Sequence, residues 1–259
     1  MKALNFNGKS LDLTSPIVMG IVNLTPDSFY DGGKHNTIDS IMNTCRQHIR
    51  EGANILDIGA FSSRPGASLI SEEEELNRLI PVIENILVEF PEAIISVDTY
   101  RANVAKEAII SGAFMINDIT GGNLDDKLFD LIGQQNIPYV LMHMRGTPAT
   151  MQNLTTYNDI TFDIIDELKQ KANLLKQKGA KQIVIDPGFG FSKTLDQNFE
   201  LLKNLSNFKE LNLPILVGVS RKSMIYKKLN ITSQEALNGT TVLNTIALSL
   251  GCNILRVHD

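Results

Sequence analysis

The 259-residue sequence has few of the features that mark secreted, membrane-bound or nucleic-acid-coating proteins. It contains only two cysteines, Cys45 and Cys252, and neither stands in a pair with the spacing of a metal site, so both are expected to be buried thiols. The formal charge of −5 argues against a surface that coats nucleic acid. No apolar run approaches the roughly 18 residues of a membrane span, and no signal peptide opens the chain. We therefore expect a soluble, cytoplasmic protein with no nucleic-acid or membrane partner.

Signatures of several common enzyme sites are also missing. The sequence has no Walker loop, no serine nucleophile elbow and no His/Cys/Asp set with zinc spacing. Gly188-Phe-Gly190 matches part of a dinucleotide fingerprint but lacks its third glycine. No linker or repeat divides the chain, and a hydrophobic content of 43% is enough for a large core. Residues 1–259 are therefore predicted to form one domain.

What the sequence does contain is a repeated unit in which an apolar run ends and a polar residue follows. The eight polar residues in this position are Asn23, Asp57, Asp98, Asn117, His143, Asp186, Ser220 and Arg256. Seven segments with helical periodicity lie between the runs, at residues 38–50, 71–90, 101–111, 126–134, 159–178, 196–204 and 236–250. Eight such units predict an α/β fold of the (β/α)8 TIM-barrel type, whose active site lies at the carboxyl ends of the strands. A doubly wound open sheet is the alternative, which periodicity alone does not exclude.

Both ends of the chain carry further signals. Residues 3–6 and 11–13, joined at Asn7-Gly8, predict an N-terminal β-hairpin that covers the amino-terminal face of the barrel. Ser71 and Glu74 have the spacing of a capping box at the start of the second helix. The sequence stops at Asp259, just past the eighth strand, so we expect the last helix to be missing or truncated.

Several of the strand-end residues are suited to binding. Asp98, Asn117 and Asp186 could form a hydrogen-bonding set for a flat heterocycle, although a single carboxylate after a strand is as often a helix cap. Ser220-Arg-Lys-Ser223 combines positive charge with a helix start, which favours an anion. Arg256 and His258 lie on the same side of a strand and suit a diphosphate, unless His258 is simply part of a frayed terminus.

Two other residues have a common alternative interpretation. Arg64, within Ser62-Ser-Arg-Pro-Gly66, offers a planar fork for carboxylate or phosphate, but a lone arginine is more often a solvated surface residue. His143, at the end of the fifth strand, is more often structural than catalytic.

In their order along the chain, these residues resemble dihydropteroate synthase, a family of pterin-binding barrel enzymes. The resemblance covers residues 17–259 and rests on eight motifs, which are Met19-Gly-Ile-Val-Asn-Leu-Thr-Pro-Asp-Ser-Phe29, Asp57-Ile-Gly with Ser62-Ser-Arg-Pro-Gly66, Ser96-Val-Asp-Thr-Tyr100, Asn117-Asp-Ile-Thr-Gly-Gly122, Met142-His-Met, Asp186-Pro-Gly-Phe-Gly-Phe191, Ser220-Arg-Lys-Ser223 and Arg256-Val-His258. Each motif alone is weak, and together they are specific.

The resemblance implies a reaction and a set of roles. Members of the family join 4-aminobenzoate to 6-hydroxymethyl-7,8-dihydropterin diphosphate with Mg²⁺, are targets of sulfonamides, and form homodimers through their last helices. By position, the residues that would hold the pterin ring are Asp98, Asn117, Asp186 and Lys222. Those that would hold the diphosphate are Asn23, Ser63, Arg256 and His258, with Asn23 also binding Mg²⁺. Those that would form the aminobenzoate pocket are Phe29, Arg64, Pro65, Phe191 and Ser223. The expected catalytic residues are Asn23, Asp98, Lys222, Arg256 and His258.

The chemistry of this reaction agrees with those residue types. If the C–O bond breaks first, positive charge spreads from the methylene into the pterin ring, where Asp98 and Asp186 would stabilise it. The aniline nitrogen is already a nucleophile and needs no strong base.

One departure from the family pattern is that Ala60-Phe61 replaces the usual Gly-Glu, while Ser63 keeps the hydroxyl of the usual threonine. Two alternatives stay open at this point, a methyltetrahydrofolate:corrinoid methyltransferase and a catalytically silent pterin-binding scaffold. Three features argue against the methyltransferase, namely the Ser62–Gly66 loop, the Ser220–Ser223 segment and the Arg256/His258 pair. The presence of Asn23, Asp98, Lys222 and Arg256 argues against the silent scaffold.

Overall fold

The structure, a computed structural model, describes residues 1–24, 34–61 and 70–259, with residues 34–37 described by backbone alone. Eight parallel strands form one sheet in the order β8-β7-β6-β5-β4-β3-β10-β9. They are β3 Ile17–Asn23, β4 Ile55–Gly59, β5 Ile95–Asp98, β6 Met115–Asp118, β7 Tyr139–Met142, β8 Ile183–Asp186, β9 Leu216–Val217 and β10 Ile254–Val257. A parallel bridge between Ile185 and Ile215 joins β8 to β9 and closes the sheet. The predicted TIM barrel is confirmed, and the open-sheet alternative is wrong.

Helices pack around this barrel between successive strands. They are α1 Lys34–Arg50, α2 Glu72–Glu89, α3 Ala102–Ile110, α4 Asp126–Gln135, α5 Ile160–Gln177, α6 Leu195–Lys203, α7 Ser223–Leu229 and α8 Leu237–Ser249. All seven predicted segments agree with helices to within a few residues, and α7 begins at the predicted helix start. The described residues also include 3-10 helices at Met151–Asn153, Leu205–Leu211 and Gln234–Ala236, which were not predicted because segments of three to seven residues carry little helical periodicity.

The capping prediction for α2 is half right. The side chain of Ser71 accepts a hydrogen bond from the backbone N–H of Glu74, as a capping residue does. The side chain of Glu74 pairs with Arg78, one helical turn further on, instead of returning to Ser71. A complete capping box occurs at α6, between Thr194 and Gln197.

The N-terminal hairpin closes the bottom of the barrel, as predicted. It consists of β1 Ala3–Phe6 and β2 Lys9–Asp12, joined at Asn7 and Gly8. Both turn residues have positive φ, 46° and 78°, which is the requirement of a tight hairpin turn. Leu4, Leu11 and Leu13 are buried in one cluster with the barrel interior, where their neighbours include Ile17, Met19, Phe114, Val140, Val184 and Ile254.

Other expectations concern the termini and the cysteines. β10 ends two residues before Asp259, so no helix follows it in this sequence. Cys45 and Cys252 are both buried and free, and burial raises the pKa of each thiol to about 12. None of the helices in the described ranges has both the length and the apolar character needed to cross a membrane.

Candidate active site

The carboxyl ends of the barrel strands bring the predicted polar residues together. In the parallel register, Asp98 on β5 lies beside Asn117 on β6 and Gly59 on β4. Residues on neighbouring parallel strands with the same register point to the same face, so side chains far apart in sequence meet at one mouth. Asp57, Asp98, Asn117 and Asp186 are all buried there, each less than 10% exposed. The structure therefore brings Asp98, Asn117 and Asp186, the three residues predicted to bind a flat heterocycle, to the same mouth.

Arg256 lies at the centre of this group. Its Nε donates to Asp57 Oδ2 at 2.6 Å, and its Nη2 donates to Asp98 Oδ2 at 3.1 Å. Asn117 Nδ2 donates to the same oxygen of Asp57 at 3.0 Å. The pairing of Arg256 with two carboxylates was not predicted, because Asp57 and Asp98 lie 199 and 158 positions before Arg256 in the sequence. These bonds fix the guanidinium over the barrel mouth.

Asp57 is a residue of the barrel mouth to which the sequence reasoning gave no role. It belongs to the strand-end series and stands in the short motif Asp57-Ile-Gly. The structure places its fully buried carboxylate between Arg256 and Asn117. The sequence signal that could have indicated a place for Asp57 at the mouth was its position directly after an apolar run, like the other strand-end residues.

Two carboxylate oxygens at the mouth have no hydrogen-bond partner within the described residues. They are Oδ1 of Asp57 and Oδ1 of Asp98, both buried. Desolvation and the negative charge of Asp57 raise the pKa of Asp98, while Arg256 acts against this shift. Burial likewise raises the pKa of Asp186, although Lys222 opposes it. Buried acceptors of this kind are costly unless something donates to them, so the mouth is suited to a ligand rich in N–H groups.

Lys222 faces the loop that follows β8. Its Nζ donates to the backbone oxygen of Phe189 and lies 4.8 Å from the centre of the Phe191 ring. Burial lowers the pKa of Lys222 to about 8, and the charge of Asp186 limits the shift. Asp186 itself accepts from the backbone N–H of Gly188 at 2.7 Å. Lys222 and Asp186 thus form a second wall of the mouth, next to the first wall of Asp57, Asp98, Asn117 and Arg256.

The segment Ser220–Ser223 differs in part from its predicted role. Lys222 is the N-cap of α7, as the predicted helix start required, and Ser223 is its first residue. Arg221 points elsewhere, because it pairs with Asp259 and donates to the backbone oxygens of Ser233 and Gln234. The positive charge that the segment brings to the mouth therefore comes from Lys222 alone.

His258 lies at the rim and is not frayed. Its backbone N–H donates to Ser220 Oγ at 3.1 Å, and its Nδ1 lies 3.0 Å from the same oxygen. His258 is exposed as a residue, and desolvation together with the positive charges of Arg256 and Lys222 lowers the pKa of its imidazole below the ordinary value.

Four predicted site residues, Phe29, Ser63, Arg64 and Pro65, lie outside the described residues. Of the predicted aminobenzoate pocket, the structure places Phe191 in a buried cluster with Met142 and Met144, and Ser223 at the start of α7. Asn23 is exposed at the end of β3, beside Gly59. Within residues 1–24, 34–61 and 70–259, no three His, Cys, Asp or Glu side chains are placed to hold a metal ion.

The surroundings of His143 agree with the structural role that is more common for a lone histidine at a strand end. It is buried at the end of β7, where Lys193 and Glu167 contact its two ring nitrogens. Burial and the charge of Lys193 lower its pKa to about 4. Lys193 was not considered from the sequence, because nothing about its residue type or spacing indicated that a lysine would be buried there.

Comparisons with known proteins agree with this geometry. Residues 19–258 match the family described as pterin binding enzyme. Dihydropteroate synthase of Escherichia coli K12 is 44% identical over 258 residues, covering 97% of this chain and 89% of the relative. The structure of the Yersinia pestis dihydropteroate synthase in complex with a sulfonamide drug is 40% identical, with a TM-score of 0.92 and coverage of 99% and 94%. The Xanthomonas albilineans dihydropteroate synthase with 4-aminobenzoic acid is 37% identical, also with a TM-score of 0.92 and with coverage of 100% and 93%.

Proposed function

The chain belongs to the pterin-binding enzyme family, and from that premise we propose how it carries out the dihydropteroate synthase reaction. In this reaction 6-hydroxymethyl-7,8-dihydropterin diphosphate and 4-aminobenzoate form 7,8-dihydropteroate and diphosphate. The observation that carries the proposal is the group of Asp98, Asn117, Asp186, Lys222 and Arg256 at one barrel mouth. It combines acceptors for a flat heterocycle with two cations.

The pterin ring is held by the buried acceptors. Asp98 Oδ1 has no partner among the described residues, and Asp186 keeps acceptor capacity beyond its single bond to Gly188. The amide of Asn117 can both donate and accept. Lys222 supplies a donor for a ring acceptor. Since each of these side chains comes from a strand end or a helix start, the ring is held by rigid elements.

Bond breaking is favoured by charge placed in advance. As the methylene C–O bond breaks, its electron pair leaves with the diphosphate, and positive charge develops on the methylene and the ring. The carboxylates of Asp98 and Asp186 stabilise that cation from a site with little water, where such interactions are strong. The aniline nitrogen then forms the C–N bond and loses one proton. No side chain has to act as a strong base.

The departing diphosphate leaves towards the positive rim. Arg256 keeps donors beyond the two that it gives to Asp57 and Asp98, and the imidazole of His258 lies near it. Asn23 and Ser63 are proposed to complete the diphosphate contacts. Phe191 and Ser223, together with Phe29, Arg64 and Pro65, are proposed to form the 4-aminobenzoate pocket, which sulfonamides would share.

Mg²⁺ fits this site in one particular way. The described residues offer no ready-made carboxylate cluster, since Asp57 and Asp98 are already paired with Arg256. Mg²⁺ commonly keeps several waters and is bound in part through substrate phosphates. We propose that the exposed side chain of Asn23 supplies its protein ligand. When bound, the ion would neutralise charge on the diphosphate.

A homodimer is proposed on the basis of α8. This helix has no charged residue, and Leu237, Val242 and Ile246 are exposed on it among exposed uncharged polar residues such as Asn238 and Thr245. Depletion of charged residues is typical of the core of an interface between subunits. Val242→Asp should shift the protein from dimer to monomer in sedimentation velocity, whereas Val88→Asp, at an exposed position on α2, should not. A wild-type protein that is monomeric at micromolar concentration would contradict the proposal. We also propose that the enzyme works in the cytoplasm.

The reaction is tested by measuring diphosphate release and dihydropteroate formation with Mg²⁺, with and without 4-aminobenzoate. We expect stoichiometric formation of both products, inhibited competitively by a sulfonamide against 4-aminobenzoate. Pterin binding without either product would instead support the silent scaffold.

A further inference from the structure

Lys193 is a buried lysine with no role in the reaction described above. It is 4% exposed, and its Nζ has three acceptors, the backbone oxygens of Phe191 at 2.8 Å and Gly188 at 2.9 Å and the Nδ1 of His143 at 3.1 Å. A protonated amine has three N–H donors, so every donor has one acceptor. Such complete pairing makes a buried charge tolerable and fixes the groups that accept from it.

The partner of Lys193 on its outer side is a histidine held in one tautomer. Because Nδ1 of His143 accepts from Lys193, the ring proton lies on Nε2, which donates to Glu167 Oε2 at 3.1 Å. Glu167 also accepts from Arg145 Nε at 3.0 Å. Burial lowers the pKa of Lys193 well below its usual value, and the charge of Asp186 opposes that shift. The imidazole thus connects the buried ammonium to a carboxylate near the surface.

The carbonyls that Lys193 holds belong to the loop on which the second wall of the mouth depends. Gly188 N–H donates to Asp186, Phe189 O accepts from Lys222, and the ring of Phe191 faces Lys222. Gly188 has a φ of 73°, a backbone conformation that makes this tight path possible. A change in the path of residues 188–191 would therefore move both Asp186 and Lys222.

We propose that Lys193 is a positioning residue for the pterin site, which fixes the backbone of residues 188–191 and through it places Asp186 and Lys222 against the ring. The identity of the ligand rests on the proposed function, whereas the fixing of the loop is a property of the protein alone. A lysine that only stabilises the fold would lower the melting temperature and leave the loop and the pterin affinity of the folded enzyme unchanged.

The main test is Lys193→Met, which keeps the length of the side chain and removes all three donors. Hydrogen–deuterium exchange of the peptide covering residues 187–192 should become about tenfold faster or more, since the amides of Gly188, Gly190 and Phe191 are bonded within that loop or to its neighbours. The dissociation constant for 6-hydroxymethylpterin, measured by calorimetry, should rise about 10- to 100-fold, as expected for the loss of bonds to a charged donor.

Lys171→Met is the matched control. Lys171 is a partly buried lysine whose Nζ also holds a backbone oxygen, that of Gly121, together with Asn123 Oδ1, each at 2.8 Å. Its loop follows β6 and carries none of the Asp186 or Lys222 contacts. This variant should lose stability, yet keep the wild-type exchange of residues 187–192 and the wild-type pterin affinity.

A pair of substitutions at His143 keeps the test decisive if Lys193→Met does not fold. His143→Gln offers an acceptor to Lys193 and a donor to Glu167, so it should retain most of the pterin affinity. His143→Leu leaves one donor of Lys193 without an acceptor and should weaken pterin binding about five- to tenfold more than His143→Gln. Equal affinities in the two variants would count against the proposal.

The outcomes separate this inference from the proposed function. Faster loop exchange together with weaker pterin binding supports the positioning role. Unchanged exchange in a folded Lys193→Met protein overturns it, and so does faster exchange with a pterin affinity within twofold of wild type. Failure of the wild-type protein to bind pterin would refute the proposed function instead, while the exchange experiment would still decide whether Lys193 fixes the loop.

Discussion

Substitution of Asp57 is the sharpest test of how the barrel mouth is arranged. Its fully buried Oδ2 accepts hydrogen bonds from Arg256 Nε at 2.6 Å and from Asn117 Nδ2 at 3.0 Å. Asp57→Asn keeps the shape of the side chain and removes its charge. Arg256 then has a single carboxylate partner, Asp98, whose Oδ2 lies 3.1 Å from Nη2. We expect the guanidinium to move towards Asp98.

The magnitude follows from the loss of one partner of a buried ion pair, which costs about 3–5 kcal/mol. Because Asp98 still balances the charge of Arg256 and the asparagine oxygen still accepts a hydrogen bond, we expect a smaller cost than this range, about 2–3 kcal/mol. In a domain of this size that corresponds to a decrease in Tm of about 5–10 °C. A displacement of Arg256 by about 1 Å would lower kcat about 100-fold.

Urea unfolding and steady-state kinetics measure the two effects, and Glu75→Gln is the control. Glu75 is also fully buried and paired with an arginine, Arg101, but this pair lies between α2 and the start of α3, not at the mouth. The Glu75→Gln variant should lose a similar free energy of unfolding and keep the wild-type affinity for pterin diphosphate. If Asp57→Asn keeps the wild-type kcat, or if both variants lose the same share of pterin affinity, the assigned role of Asp57 is refuted.

Three further predictions concern catalysis, the loop after β8 and the pH dependence of stability. Asp98→Asn should lower kcat far more than pterin affinity, because the negative charge acts on the cation. Gly188→Ala should cost several kcal/mol, since its Cβ would overlap the backbone oxygen of His143, whereas Gly8→Ala, with a similar φ and open space, should cost about 1–2 kcal/mol. Although desolvation acts in the opposite direction, hydrogen bonds from His143 and Arg145 lower the pKa of Glu167 to about 2. Glu167 therefore contributes stability above its unfolded pKa of 4.5, and this contribution is lost as the pH falls towards 2.

Each of these has its own measurement. Equal losses of kcat and pterin affinity in Asp98→Asn would contradict the charge argument. Urea unfolding compares the two glycine variants, and similar costs would show that only the positive φ matters. For Glu167 we expect a loss of about 1–2 kcal/mol between pH 6 and pH 3, discounted because its side chain is one-third exposed. Glu167→Gln should lack that component, so parallel pH profiles would exclude it.

The family resemblance was most informative about the roles of residues, because these follow from position within a motif. It was least informative about which side chains pair with one another. It assigned Asp98, Asn117, Asp186 and Lys222 to the ring, and these residues do meet at one mouth. It did not indicate that Arg256 is shared between two carboxylates or that Arg221 points away to Asp259. Motifs record which residue types are present, whereas the partner of a long, flexible side chain depends on neighbours from other strands.

The sequence by itself determined the series of strands and helices and the tight turn at Gly8. It also determined which polar residues follow each strand. These are local properties, because helical periodicity, strand length and the need for positive φ are expressed over a few adjacent residues. The TIM-barrel closure was predicted from the number of units.

Only the tertiary structure decided that Asp57 and Arg256 form a pair and that Lys193 is buried with three acceptors. Nothing local distinguishes Lys193 from the solvated lysines of the helices. Its burial follows from the packing of the loop after β8 against the end of β7. A buried charge is tolerated there because His143 and the backbone oxygens of Gly188 and Phe191 accept hydrogen bonds from Nζ.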